Sequence, residues 1–271
     1  MAFTVNQGTK IYWDEVGAGA PLLLIMGLGY PSSAWHRTRP TLSEKYRTIA
    51  LDNRGVGRSD MPPGPYSIAL MASDAAAVLD AVEVESAHVF GISMGGMIAQ
   101  EFALQYPARV RSLILGCTAA GGASAVPCEP DATYMLMSRG HMSPEDAAQA
   151  AVPFIYHPNT PRKLIEEDLD VRRPWFPKRE AYNAQLQGII AFESYSRLSQ
   201  ISSPTLVIHG ESDRLVPAGN GKAIAQKIPG AKLILLPQAS HIFTTDQPEA
   251  ANRAILEFLE AQIMSCDKAQ R

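Results

Sequence analysis

Short apolar runs bounded by polar or glycine-rich turns recur along the chain: 22–26 (LLLIM), 47–51 (RTIAL), 88–91 (HVFG), 112–115 (SLIL), 206–209 (LVIH) and 233–236 (LILL). They are too short for helices, and their continuity predicts strands buried on both faces of a largely parallel sheet. The mixed stretch 9–16 (TKIYWDEV) predicts a strand near a sheet edge. Between these runs, apolar residues recur at three-to-four spacing over 68–82, 94–105, 221–228 and 250–263. That periodicity predicts helices, the first with Asp74 and Asp80 on its polar face. Strand and helix therefore alternate, as in an open α/β sandwich.

The alternation fails between about 121 and 200. That stretch is rich in proline and in aromatic residues such as Tyr134, Tyr156, Trp175, Phe176, Tyr182 and Phe192. It has room for short helices at 144–151 and 161–171, and it is long for a single crossover. The expected organisation is a core domain of 1–120 and 201–271 interrupted by a helical lid, 121–200. Such a lid suggests a moderately hydrophobic substrate, unless its aromatic residues form a core of their own.

Composition narrows the classes of function. The chain has 271 residues, 46% hydrophobic and 19% charged, enough for one core and a small second lobe. A net charge of −3 without long runs of one sign gives no footprint for nucleic acid or a membrane surface. The N-terminus MAFTVNQGTKIYW lacks the basic-then-apolar pattern of a secretory signal, and no apolar run is long enough to span a bilayer. Cys117, Cys128 and Cys266 form no C-x-x-C pair and no metal-ligand spacing. A reducing, cytoplasmic location is the expectation.

The chemistry concentrates in HVFGISMGGMIAQEFALQYP. A strand ends at Gly91, the pentapeptide Gly91-Ile92-Ser93-Met94-Gly95 matches G-x-S-x-G, and a helix follows. In that setting the serine occupies a strained strand-to-helix turn whose neighbours must be small. Ser93 would project from the carboxyl edge of the sheet with a helix N-terminus behind it, and the Met94 N–H could donate to an oxyanion.

A serine hydroxyl needs a base, and the base needs an acid to hold its tautomer. Of six histidines, His88 and His209 fall inside strand runs. His141 and His157 fall in the inserted stretch, and His36 follows Trp35 in an early helix. Only His241 lies in a loop after the last strand. For the acid, the loop after 206–209 offers both Glu211 and Asp213.

The segments PLLLIMGLG, ALDNRGVGRSD, VFGISMGGMIAQ, TLVIHGESDRLVP and SHIFTTDQP, in that order, resemble the α/β-hydrolase superfamily over about 1–120 and 200–265. The sequence is most similar to 3-oxoadipate enol-lactonases and to methylesterases related to aclacinomycin methylesterase. The resemblance implies an α/β-hydrolase fold: a mostly parallel central sheet, helices on both faces and an inserted helical lid. It also implies hydrolysis of a small to medium ester or lactone without metal or cofactor. Ser93 would be the nucleophile, Asp213 the acid, His241 the base, and the N–H groups of Leu28 and Met94 the oxyanion hole. Met26-Gly27 stands where many members have His-Gly, which argues against a functional histidine there. Asp52, Arg54, Gly55 and Gly57 match a loop whose role would be mainly structural, with Arg54 bracing it. Carbon–carbon bond hydrolases and cofactor-free perhydrolases carry the same triad. Ser93 argues against the aspartate nucleophile of dehalogenases, and a complete triad argues against a ligand receptor of this fold.

Overall fold

The structure is a computed structural model that describes residues 2–269, with side chains through residue 262; the Cys266 side chain lies outside the described residues. Eight strands form one sheet: β1 (Ala2–Asn6), β2 (Thr9–Val16), β3 (Ala20–Ile25), β4 (Tyr46–Leu51), β5 (Ala87–Ile92), β6 (Val110–Gly116), β7 (Thr205–Gly210) and β8 (Lys232–Leu236). Their order is β1-β2-β4-β3-β5-β6-β7-β8. The β1–β2 and β2–β4 pairs are antiparallel and all the others are parallel.

Every strand expected from the apolar runs is present. β1 is additional, and it displaces β2 from the edge position expected for it. Its pattern is inverted: Phe3 and Val5 are exposed while Ala2, Thr4 and Asn6 are half-buried. Apolar residues turned to solvent leave no inward alternation to find.

Among the described residues ten α-helices accompany the sheet: α1 (Arg39–Ser43), α2 (Ile68–Ala81), α3 (Met94–Gln105), α4 (Pro130–Ser138), α5 (Pro144–Ile155), α6 (Arg162–Arg172), α7 (Arg179–Ile190), α8 (Gly219–Lys227), α9 (Phe243–Asp246) and α10 (Pro248–Ala269). The two-residue period of a strand assigns them to faces. Leu23, Ile25 and Val89 turn to one side and pack with Met71 and Ala75 of α2 and Ile98 and Phe102 of α3. Leu22, Leu24 and Phe90 turn to the other and pack with Trp35 and with Ile255 and Phe258 of α10. No helix among the described residues is long and apolar enough to cross a membrane.

One polar position on α2 departs from expectation. Asp74 is fully buried rather than solvated, because Arg54 grips both its oxygens at 2.6 and 2.7 Å. Arg54 thereby ties the loop after β4 to α2.

Helices α4 to α7 all lie between β6 and β7. An isolated antiparallel bridge between Gly121 and Glu193 brings the two ends of this stretch together. Within it Met135, Ala148, Ala151, Ile155, Tyr156, Ile165 and Leu169 form a separate apolar cluster. Its aromatic residues are dispersed: Tyr156 and Phe176 join that cluster, Tyr182 and Phe192 join the main core, and Tyr134 is exposed.

His88 is a packing residue. It is buried on β5 with Nδ1 2.8 Å from Ser112 Oγ, and burial, aided by Arg111, pushes its imidazole down from 6.5 to about 4. The unfolded chain therefore binds a proton that the native state refuses between these values. Its contribution to stability is present above pH 6.5 and is lost as the pH falls toward 4. Urea unfolding of wild type should show about 2 kcal/mol more loss between pH 7.5 and 5 than the same measurement on His88→Asn.

Candidate active site

Ser93 alone separates β5 from α3, with φ 58° and ψ −123°. A non-glycine residue at positive φ is strained unless its surroundings hold it there. Here the Ser93 N–H donates to the Gly116 carbonyl at 2.8 Å. The Ser93 carbonyl accepts from the Gly96 N–H at 2.8 Å and from Thr118 Oγ1 at 2.7 Å. A Cβ at Gly91 would meet the Gly95 carbonyl, one at Gly95 the Ile25 carbonyl, and one at Gly96 the Thr118 side chain. The glycines of the motif thus mark close backbone approach rather than flexibility.

Asp213 and His241 sit in loops beyond the carboxyl ends of β7 and β8. Asp213 Oδ1 accepts from the N–H groups of Leu215 and Val216 at 2.9 and 2.8 Å. Asp213 Oδ2 lies 2.8 Å from His241 Nδ1. Burial opposes ionisation of Asp213, yet the facing imidazoles of His241 and His209 outweigh it and hold the carboxyl well below its usual range. An ionised carboxylate only accepts, so His241 Nδ1 carries the proton and Nε2 is left as the free acceptor of the ring. Glu211, the other acid of this loop, is exposed. The His241 loop is clamped from behind by Asp246, which accepts from the Ser240 N–H at 2.6 Å.

A cavity of about 170 Å³ brings Ser93, His241, Leu28 and Met94 onto one surface. Its remaining wall is mainly aliphatic and includes Leu136, Ile155 and Ile189 from the inserted helices. The loop after β3 lies over Ser93, since a Cβ at Gly27 would come 3.4 Å from Ser93 Oγ. Neither the Leu28 nor the Met94 N–H donates a hydrogen bond within the described residues. The Ser93 hydroxyl and His241 Nε2 face the same cavity without a hydrogen bond between them. Such bonds commonly tighten only around a bound substrate.

Three side chains that the sequence did not single out support this arrangement. Gln185 of α7 is fully buried and accepts from the Gly29 N–H while donating to the Arg54 carbonyl, both at 2.9 Å. It therefore fixes the loop that carries Leu28. Asp168 of α6 accepts from Arg37 Nε, Tyr156 Oη and Thr245 Oγ1 at 2.8, 3.0 and 2.7 Å, and so joins the inserted helices to α9. His209, expected only to pack, donates from Nε2 to the Val216 carbonyl at 2.7 Å and leans on Asp213 Oδ2 at 3.4 Å. The bare residue types Gln, Asp and His carry no sequence signal for such roles.

Among the described residues, one trio of metal-type donors gathers: Cys117, His209 and Asp213, with ligand atoms within 4.8 Å of one another. The thiol is pushed well up by burial and by Asp213, so it is held protonated, and the oxygens of Asp213 are already hydrogen-bonded. The trio is a hydrogen-bonded backing for the His241–Asp213 pair.

A model described as "Alpha/beta hydrolase family" matches residues 22–254. A relative from Azorhizobium caulinodans named "Putative carbamate hydrolase RutD" is 33% identical, covering 95% of this chain and 98% of its own. The enol-lactonase from Burkholderia xenovorans LB400 superposes with a TM-score of 0.86 at 25% identity, over 96% of this chain and 100% of its own. A thermophilic esterase from Thermogutta terrifontis does so with a TM-score of 0.83 at 28% identity, over 96% and 97%.

Replacing Gln185 by Leu leaves the Gly29 N–H and the Arg54 carbonyl buried without partners. The expected loss in urea-unfolding free energy is about 2 kcal/mol. A change below about 0.5 kcal/mol, the level of an ordinary surface substitution, would show that water replaces the amide without cost.

Proposed function

The chain belongs to the alpha/beta hydrolase family, and from that premise we propose that it hydrolyses small to medium carboxylic esters or lactones, with Ser93, His241 and Asp213 as its catalytic triad. The observation that supports this reading most directly is the meeting of Ser93, His241 and two unpaired backbone N–H groups on one apolar cavity. The relation to an enol-lactonase and an esterase points the same way.

In this mechanism Ser93 Oγ attacks the substrate carbonyl as its proton passes to His241 Nε2. The carbonyl oxygen becomes an oxyanion against the Leu28 and Met94 N–H groups, and the dipole of α3 favours the new charge. The carbon–oxygen bond to the alcohol then breaks, and the alcohol leaves with the proton from His241. Water attacks the acyl-enzyme as its proton passes to His241. Collapse of the second oxyanion breaks the bond to Ser93 Oγ, which takes the proton back and frees the acid. Asp213 remains ionised and stabilises the imidazolium in both steps. Residues 121–200 act as the lid of this site: their helices supply aliphatic wall and exclude water, which strengthens each charge interaction inside.

A carbamate carbonyl would fit the same apparatus, and the name of the Azorhizobium relative favours including it as a second reading. Aryl carbamates assayed beside aryl esters distinguish the two by the larger kcat/KM.

Ser93→Ala should fold with an unchanged circular dichroism spectrum and lose about four orders of magnitude or more in kcat on p-nitrophenyl butyrate. Turnover at the wild-type rate by the purified variant would overturn the assignment. The confined cavity predicts that kcat/KM falls along a p-nitrophenyl ester series once the acyl chain exceeds about eight carbons. A steady rise to palmitate would contradict a closed site.

A further inference from the structure

β7 carries an imidazole where its apolar run calls for an aliphatic side chain. His209 is 0% exposed, in a strand buried along its whole length. Its Nε2 lies 2.7 Å from the Val216 carbonyl and 3.4 Å from Asp213 Oδ2. A carbonyl only accepts, so Nε2 carries the proton and shares it between these two oxygens. The other ring nitrogen, Nδ1, is buried with no hydrogen-bond partner. The ring is also packed against α8, since a Cβ at Gly221 would come 2.6 Å from Nδ1 and 3.2 Å from Cγ. A buried nitrogen without a partner costs free energy. Native interiors keep such a group where the rest of the side chain does something an apolar one could not.

The loop between β7 and α8 shows what that is. Asp213 Oδ1 accepts the Leu215 and Val216 N–H groups at 2.9 and 2.8 Å, and the Val216 carbonyl accepts from His209. Val216 is therefore held at its N–H by the acid and at its carbonyl by His209, and the loop closes on itself around the carboxylate. Asp213 Oδ2 faces two ring N–H groups, His241 Nδ1 at 2.8 Å and His209 Nε2 at 3.4 Å. In a buried site each N–H dipole aimed at a carboxylate lowers its attraction for a proton. His209 lines no part of the cavity that holds Ser93, so it reaches the reaction only through Asp213 and its loop.

We propose that His209 is a positioning residue for the hydrolysis: its Nε2–H, shared by Val216 and Asp213, fixes the angle of the acid loop and moderates the pull of Asp213 on the His241 proton. The inference rests on the hydrolytic reading of Ser93 and His241 but fails separately from it. Without the His209 N–H, Oδ2 keeps one donor fewer and draws harder on the charge of a protonated His241. The imidazolium then persists to higher pH, where it cannot take the Ser93 proton, so the acidic limb of the pH profile moves up. Other ionisable groups surround the pair. Cys117 stands at the end of β6 and Asp246 on α9. Arg139 and Tyr30 line the large cavity, and His36, Tyr156, Asp168 and Arg172 line the small cavity that His241 also borders. In the acid loop Glu211 is exposed and Arg214 is turned to Asp131. On α8 Lys222 is exposed and Lys227 lies over the Tyr195 ring. All of these are kept in the variants below, so a shifted limb reports the N–H removed from His209.

The test is the pH profile of p-nitrophenyl butyrate hydrolysis. His209→Leu should raise the midpoint of the acidic limb of kcat/KM by about half a unit or more. It should also lower the plateau kcat about tenfold, with KM changed by less than about twofold. His209→Gln, whose amide nitrogen can stand in for Nε2, should reverse most of the limb shift. Should His209→Leu fail to fold, His209→Asn, whose amide stops short of the Val216 carbonyl, takes its place. Proton NMR of Ser93→Ala gives a readout free of turnover: the low-field resonance of the His241 Nδ1 proton should move when His209→Leu is added. The proposal is overturned if the limb or the resonance is unmoved by His209→Leu, even where kcat or thermal stability falls, because packing alone would explain that result. It is equally overturned if Leu and Gln shift the limb alike. Absence of turnover on every ester, with the resonance still dependent on His209, would overturn the hydrolytic reading and leave the positioning role standing.

Discussion

Around Ser93 three positions have no room for a Cβ, and the arrangement of the site follows from that constraint. Gly91, Gly95 and Gly96 let α3 start against the ends of β3, β5 and β6. The approach forces the single residue between β5 and α3 to positive φ, so its side chain leaves the sheet plane at the carboxyl edge. The cost of that conformation is met by four hydrogen bonds to the Ser93 backbone, two of them with Gly116 and Thr118 at the end of β6. With α3 so placed, the Met94 N–H donates no hydrogen bond within the described residues, and Met94 lines the same cavity as Gly27 and Leu28 of the loop after β3. The position of Ser93, the helix N-terminus behind it and one unpaired N–H are consequences of one steric fact.

Around this rigid centre, buried acids act as fixed points. Asp213 gathers two backbone N–H groups and two histidines, which keeps it ionised despite full burial. Asp168 gathers Arg37, Tyr156 and Thr245 and joins α6 to the core. Asp74 is closed by Arg54, and Asp246 by Ser240, Thr160 and His157. Each acid ties a segment from one part of the chain to a segment far from it. Gln185 does the same work as an amide between α7 and the loops at Gly29 and Arg54. The inserted helices are therefore joined to the active-site loops by specific polar bonds as well as by apolar contact. Their separate apolar cluster gives them internal cohesion.

The legibility of these features in the sequence follows their physics. Strands buried on both faces write themselves as continuous apolar runs, and seven of the eight were readable on sequence pattern. β1 was not, because its apolar side chains face solvent. The elbow was readable because close backbone approach demands glycine, a residue type that few other constraints demand at fixed spacing. The proposed base was narrowed by position alone, since His241 is the one histidine in a loop after the last strand. The acid needed more: Glu211 and Asp213 share a loop, and only their opposite exposure separates them. Asp74 was misplaced on a polar face because amphipathic spacing cannot register that a distant Arg54 will bury it. The aromatic content of 121–200 points either to a moderately hydrophobic substrate or to a core of its own, and those side chains divide between the inserted helices' cluster, the main core and the surface. Long-range partners, Gln185 with Gly29 above all, leave no local trace.

The same reasoning explains why reactivity and selectivity divide along the chain. The groups proposed to make and break bonds come from 1–120 and 201–271, where the sheet sets their positions to within the reach of a hydrogen bond. Leu136, Arg139, Ile155 and Ile189 of the cavity that holds Ser93 come from 121–200, while Met26, Ile92, Met97, Leu215, Val216 and Ile242 come from the core. Because α6 and α7 are pinned through Asp168 and Gln185, the part of the wall from 121–200 is held against the core by specific polar bonds. The proposed lid is thus a wall fixed by specific polar bonds, set over a serine whose conformation the sheet imposes.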